Sequence, residues 1–276
     1  MIKRLLILTA LFVFIPVLAC NVQSRYKTKS DLSADEQKKV EEMYNPPKKE
    51  PEKKLEPFLK DFEGPAMRVN GLDIDSADIR KLYEYYTTYR TDDAVTLKRD
   101  ACSEWIKTYA VMSQWPDKIE PAKKKITELH DKALAGTDFS FLIVENSMEP
   151  GAAENAGDLG TFERGKMLPI FEMHAMTEKV DDISQPFPTI FGWHIIQVIE
   201  RNVEDPAKPT MHVRHLLLFH GLDSANADLI RDNVTRWTNL AKVELIAPEL
   251  NEILPGYAKP APPAEIPIEQ PVPGNP

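Results

Sequence analysis

Apolar and polar positions divide this chain into distinct pieces. Leu5 to Val17 form an unbroken apolar run behind Lys3 and Arg4. The run is too short to span a bilayer and has the charged flank of an export signal. Residues 21–62 are polar, with Lys/Glu runs and prolines at Pro46, Pro47, Pro51 and Pro57; they read as an extended tether with one short helix at 34–43. The first folded pattern is AMRVN, Asn70-Gly71 and LDI, a hairpin whose Asn-Gly supplies the positive φ angles of a tight turn. Asp75 is placed to cap a helix carrying Ile79, Leu82, Tyr83 and Tyr86. Val95, Cys102, Trp105, Tyr109 and Met112 recur at helical spacing, which predicts a second helix from about Asp92 to Gln114, ended by Pro116. A third helix is expected from Glu120 through AKKKITELHDKALAG. Two apolar strand patterns then lie ten residues apart, GWHIIQVIE and MHVRHLLLFH. A helix over roughly 224–243 follows, with Leu229, Val234, Trp237 and Leu240 as its apolar positions. The last 22 residues hold eight prolines and read as a polyproline-like tail.

Composition narrows the function. The formal charge is −9, and −11 once Lys3 and Arg4 leave with the signal. That acidity, with no basic stripe interleaved with aromatics, argues against a nucleic-acid partner. Val17-Leu18-Ala19-Cys20 resembles a bacterial lipobox, although Leu18 is bulky for its place. The expectation is an acylated Cys20 that anchors the chain to a membrane; ordinary signal cleavage is the alternative. Cys102 is the one other cysteine, so a lipidated Cys20 leaves no intramolecular disulfide, and no metal-type Cys/His cluster is present.

The most specific stretch is Gly157 to Glu200, where GDLG-x-F-x-R-G-x-M is followed four residues later by Phe171, and then by T-x-F-G-W-H-I-I. It resembles the second half of a parvulin-type peptidyl-prolyl isomerase domain. The likeness starts at the preceding helix and runs through Gly136, Phe139 and Ser147 to Arg201. It implies an α+β fold, parvulin-like within the FKBP-like superfold, with an antiparallel four-stranded sheet and flanking helices. More weakly, the hairpin and the two helices after it are similar to the N-terminal module of SurA/PrsA-type foldases. The expected division is a lipoprotein signal at 1–19, a tether at 20–62, a SurA-N-like helical module at 63–116 and the isomerase domain at 117–202. A displaced strand and helix at 203–254 and the tail at 255–276 complete it.

One piece is out of order. Parvulin domains open with a strand of the form vxxxHIL, but residues 107–113, where it should lie, have a helical pattern that puts Tyr109 nearest the histidine position. A good copy of that strand instead follows the domain, at Met211 to His220. It either folds back beside Gly192–Glu200 and completes the sheet, or is the stub of a second parvulin domain; pairing between two protomers is a further possibility. A short connection between consecutive strands favours antiparallel pairing within the chain.

The resemblance also implies a site. Leu159, Met167 and Phe171 match the proline pocket, with Phe171 as its floor, and Phe191 flanks it; each could equally be core packing. His194 matches the histidine of the closing strand, and His215 is its partner if the displaced strand completes the sheet, the two linked through hydroxyls such as that of Thr189. Glu149 falls where parvulins carry Asp or Cys beside the rotating amide. His130 and His174 read as surface residues, and His212 and His220 lack support from the motif. No cofactor or metal is implied. The function implied is isomerisation of X–Pro bonds in unfolded exported polypeptides, outside the cytoplasm and on a lipid anchor. A chaperone without isomerase activity, and a scaffolding lipoprotein that uses its Pro-rich tail, are the alternatives.

Overall fold

The structure, a computed structural model, describes residues 57–220 and 226–257 together with Ser33. The export signal, Cys20, the helix expected at 34–43 and the tail from residue 258 lie outside the described residues.

The Asn-Gly turn does what its residues allow. β1 (Pro65–Val69) pairs antiparallel with β2 (Leu72–Asp75), and Asn70 and Gly71 both have positive φ. Asp75 caps α1 (Ser76–Thr87), its carboxylate accepting from Ala77 N at 2.8 Å. Asp93 caps α2 (Ala94–Met112) in the same manner through Thr96 N. Pro116 does not only end α2. It opens α3 (Pro116–Leu134) at the first helical position, where its missing N–H costs nothing, so this helix begins earlier than the expected Glu120. Then come α4 (Phe139–Asn146), α5 (Ala152–Asn155), β3 (Asp158–Glu163) and α6 (Pro169–Thr177). β4 (Phe187–Pro188), β5 (Gly192–Asn202) and β6 (Thr210–Phe219) follow, then α7 (Asn226–Leu240), β7 (Val243–Leu245) and α8 (Leu250–Ile253).

Two antiparallel sheets result, one ordered β2-β1-β7 and the other β3-β6-β5-β4. β6 lies between β3 and β5. Its register with β5 runs from Gly192↔Phe219 to Asn202↔Thr210, with a bulge between Val198 and Glu200. A strand alternates its side chains, so the register sorts them by face. Trp193 and Ile195 join Leu216 and Leu218 on one face, in a core with Ile126, Leu129, Leu142 and Ile143 of α3 and α4. His194, Ile196 and Val198 share the other face with Val213 and His215. That face's core also holds Phe171 and buried residues of β1, α1 and α2. The aromatic stripe of the N-terminal helices is thus core shared with the four-stranded sheet. The described residues from 57 onward belong to one compact unit.

Several local expectations need correction. Phe58 and Leu59, assigned to the tether by composition, are buried; Phe58 packs edge-on to Tyr83, and Leu59 O accepts from Arg80. Val95 leaves the α2 stripe for solvent, while Leu97 of the same first turn is buried in the core. On α7, Leu229 and Leu240 are exposed, and Ile230, with Val234 and Trp237, makes the contact with Val111 and Ile190. His130 and His174 are buried, not on the surface.

Candidate active site

Register brings the two histidines of the sheet together. His194 pairs with Leu217 and Ile196 with His215, so His194 and His215 are diagonal neighbours on one face. Their rings stack 5.6 Å apart at 19°, and their Nδ1 atoms lie 3.4 Å apart. Phe171 stands edge-on to both, at 5.5 and 5.7 Å. Phe187 stacks on the far side of His194, and His174 on Phe187 at 3.8 Å, which extends the stack to four rings.

The outer nitrogens complete a chain. Thr189 Oγ1 lies 2.8 Å from His194 Nε2 and also accepts from Phe191 N. At the other end, His215 Nε2 meets Glu149 Oε2. A carboxylate only accepts, so His215 Nε2 carries the proton. His215 Nδ1 is then the acceptor for His194 Nδ1–H, and the Thr189 hydroxyl donates to His194 Nε2. One tautomer set is therefore compatible with every contact along the chain. Burial, and next the neighbouring His215, hold the His194 pKa well below the usual imidazole value, as this arrangement requires.

The backbone fixes Glu149 in place. Met148 N donates to Leu217 O and Leu217 N donates to Ser147 Oγ, which docks the 147–151 loop on β6. Gly157 also belongs to a tight junction. It has φ +69°, its carbonyl accepts from His215 N, and a Cβ there would overlap the His215 carbonyl. Leu159 and Met167 are half-buried at the edge of the core that contains Phe171. The turn bearing Met167 is held by the buried Glu172 carboxylate, which accepts from Gly165 N and Met167 N. Phe191 is half-buried under α7, with the Arg231 guanidinium 5.6 Å from its ring centre. Between them opens a cleft of about 330 Å³ that reaches Glu149 and Leu217.

All the residues expected at the site except Cys20 are therefore placed. Thr189, His194, His215, Glu149 and Phe171 form one connected cluster, with Leu159, Met167 and Phe191 at its margins. Three contributors had no signal in the sequence. His220 is buried, its Nε2 donating to Thr189 O at 2.7 Å, and burial pushes its pKa down to about 4. An odd spacing from His215 puts it on the wrong face of a strand, but it lies just past the end of β6, where alternation no longer applies. His174 lies on a helix, its Nδ1 bonded to Glu178, and its pKa is lowered by burial. Glu172 reads as an ordinary helical acid. His212 is apart from the cluster, paired with Asp158. Among the described residues no group of three or more His, Cys, Asp and Glu side chains could hold a metal ion, and no helix is long and apolar enough to cross a membrane.

Residues 94–200 match the rotamase family model, described as a PPIC-type PPIase domain; the match stops before β6. Foldase protein PrsA of Geobacillus sp. (strain WCH70) is 34% identical over 136 residues, which are 48% of this chain and 47% of that one. Foldase protein PrsA of Halalkalibacterium halodurans is 43% identical over 74 residues, 27% of this chain and 22% of its own length. Chaperone SurA of Nitrosococcus oceani is 38% identical over 81 residues, 29% of this chain and 19% of that protein. The chain spans less than half the length of these relatives.

Proposed function

We propose that this chain, which carries a parvulin-type isomerase domain and resembles the PrsA and SurA proteins, is a peptidyl-prolyl cis–trans isomerase and foldase for exported polypeptides. Its place is outside the cytoplasm, tethered by a lipid on Cys20. The observation that carries the activity is the closed chain Thr189–His194–His215–Glu149 with Phe171 edge-on to both rings.

Rotation about an X–Pro bond needs no nucleophile. The barrier is the amide's partial double bond, about 18–20 kcal/mol. The site lowers it by binding the twisted amide better than the planar one. Phe171, with Leu159 and Met167, seats the proline ring, and the flexible Met167 thioether adapts as the ring turns. The histidine pair acts as a rigid support beneath the site, holding Thr189 at one end and the Glu149 carboxylate at the other. A negative charge beside the amide carbonyl disfavours the planar resonance form, which puts negative charge on that oxygen.

The test is isomerisation of short X–Pro peptides by exchange NMR, using the chain and its His194→Ala and His215→Ala variants after their folding is checked. Each variant is expected to lose at least tenfold in kcat/KM, which corresponds to about 1.4 kcal/mol. Unchanged rates in both would remove the histidine pair from the mechanism. One observation favours a second reading, a chaperone that holds clients without isomerising them: α7 packs over Phe191 and Leu168 at the flank of the site. Suppression of client aggregation by a parent chain with no isomerase activity would select it.

A further inference from the structure

The turn after β3 carries an arginine with no acidic partner. Arg68, Arg90 and Arg231 each pair with a carboxylate, and Arg80 and Arg201 each donate to two carbonyls. Arg164 has only a 3.5 Å contact with Pro206 O and the neighbouring Tyr85 hydroxyl, and among the described residues no carboxylate lies within ion-pair distance of it. Its Nε is shut off from solvent and has no hydrogen-bond partner. The guanidinium lies 4.4 Å from the centre of the Tyr89 ring, and the two residues line a cleft of about 530 Å³ with Thr88, Gly165, Pro206 and Ala207.

We infer that this cleft binds a carboxylate of the client polypeptide, an Asp or Glu side chain within about three residues of the target proline. A guanidinium presents paired donors to a carboxylate, and the ring beneath Arg164 limits how its plane can turn. A bound carboxylate supplies the acceptor that the desolvated Nε lacks. Two acids near the cleft are engaged elsewhere, and Glu163, next in sequence, makes no ion pair with Arg164. Glu172 is turned onto Gly165 N and Met167 N, and Asp205 accepts from Ala207 N. The C-terminal end of α1 borders the cleft and would repel an anion if its carbonyls were free. Thr88 gives its N–H and hydroxyl to Tyr85 O, and Tyr89 and Arg90 donate to Tyr86 O. Gly165 adds no bulk, since a Cβ there would meet nothing within 4 Å.

The distance follows from the chain. Arg164 and Met167 are three residues apart, so their Cα atoms are at most about 11 Å from each other. An extended client advances about 3.3 Å per residue, so a side chain about three residues from a proline seated at Met167 reaches the guanidinium. The inference rests on the isomerase reading for the position of that proline.

The test uses the full chain and fluorescein-labelled decapeptides with a central Ala-Pro. Pairs differ only in Glu or Gln placed three residues before or after the proline. Anisotropy gives Kd, and exchange NMR gives isomerisation. For one of the two placements the Glu peptide is expected to bind about tenfold more tightly than its Gln twin, and Arg164→Gln to bring that ratio within twofold of one. Equal Kd values for both pairs overturn the inference, as does no measurable binding of any peptide. A Glu preference that survives Arg164→Gln also overturns it. If no peptide is isomerised while the Glu preference and its loss in Arg164→Gln remain, the isomerase reading fails and the carboxylate site stands.

Discussion

Both sheets of this protein are closed by a strand from its C-terminal third, and the two closures differ in what they carry. β6 is ten residues long, pairs on both edges, and is buried along most of its length. β7 is three residues long, half-buried, and pairs with β1 alone. Because β6 is central, its side chains build both cores, and its position brings His215 to His194. β7 lies at an edge, so it adds hydrogen bonds and some apolar cover but no site residue. A strand's position in its sheet thus decides whether it is part of the site or a clasp. Chain order does not, since β6 comes after the strand beside which the site is built.

Ending the chain at different points is the strongest way to break this comparison. A chain ended at Asn202 leaves β3 and β5 without their shared neighbour and exposes Ile195 and Ile196. It is expected to show no cooperative thermal transition by circular dichroism, because a buried sheet cannot leave that many backbone groups unpaired. A chain ended at Lys242 keeps β6 and is expected to retain a cooperative transition at lower temperature. Cooperative unfolding of the shorter form would mean that the rest of the fold does not need β6.

The sequence made β6 legible and β7 illegible for physical reasons. MHVRHLLLFH is long enough to show an apolar run with a histidine at a diagnostic place, whereas Val243-Glu244-Leu245 is three residues, a length at which any pattern fits. The hairpin and the first helix cap were readable because Asn70-Gly71 and Asp75 act on their own neighbours. Phe58 and Leu59 were not, since their burial depends on α1, α2 and Glu249, whose carboxylate accepts from Leu59 N 190 residues away. The same applies to the site: His194 and Phe171 sit in a fixed motif, while His220, His174 and Glu172 acquire their roles only through tertiary contact.

Acid sharpens the contrast between the sheets. All six histidines lie between residues 130 and 220, none of them in β1, β2 or β7. His194, His174 and His220 have pKa values depressed by burial, His220 to about 4. Below the ordinary imidazole value of about 6.5 the unfolded chain binds protons that these buried rings refuse, so stability falls as pH falls from about 6.5 to 4 and levels off for His220 below that. His220 alone is expected to cost on the order of 3 kcal/mol over this window. Urea unfolding at pH 7, 5.5 and 4 measures the loss, and hydrogen exchange locates it. β5 and β6 amides should lose protection before those of β1 and β2. Uniform loss across both sheets would show that the histidines do not set the acid limit.

The finest test makes the same substitution in both closing strands. Leu216→Ala removes a fully buried side chain from the core under β5 and β6. Such truncations cost about 2–5 kcal/mol, the spread reflecting how far the site can collapse. Leu245→Ala removes a half-buried side chain at an edge, where water already reaches part of the leucine, and is expected to cost about 1 kcal/mol. In a fold of this size that moves the midpoint by about 2–4 °C. Leu216 faces away from His194 and His215 but is next in sequence to His215, so its loss is expected to reduce isomerisation as well as stability. Leu245 belongs to the other sheet, and its loss should leave isomerisation unchanged. Equal costs for the two substitutions would mean that both strands close their sheets equally, and that the central position of β6 confers nothing beyond its length.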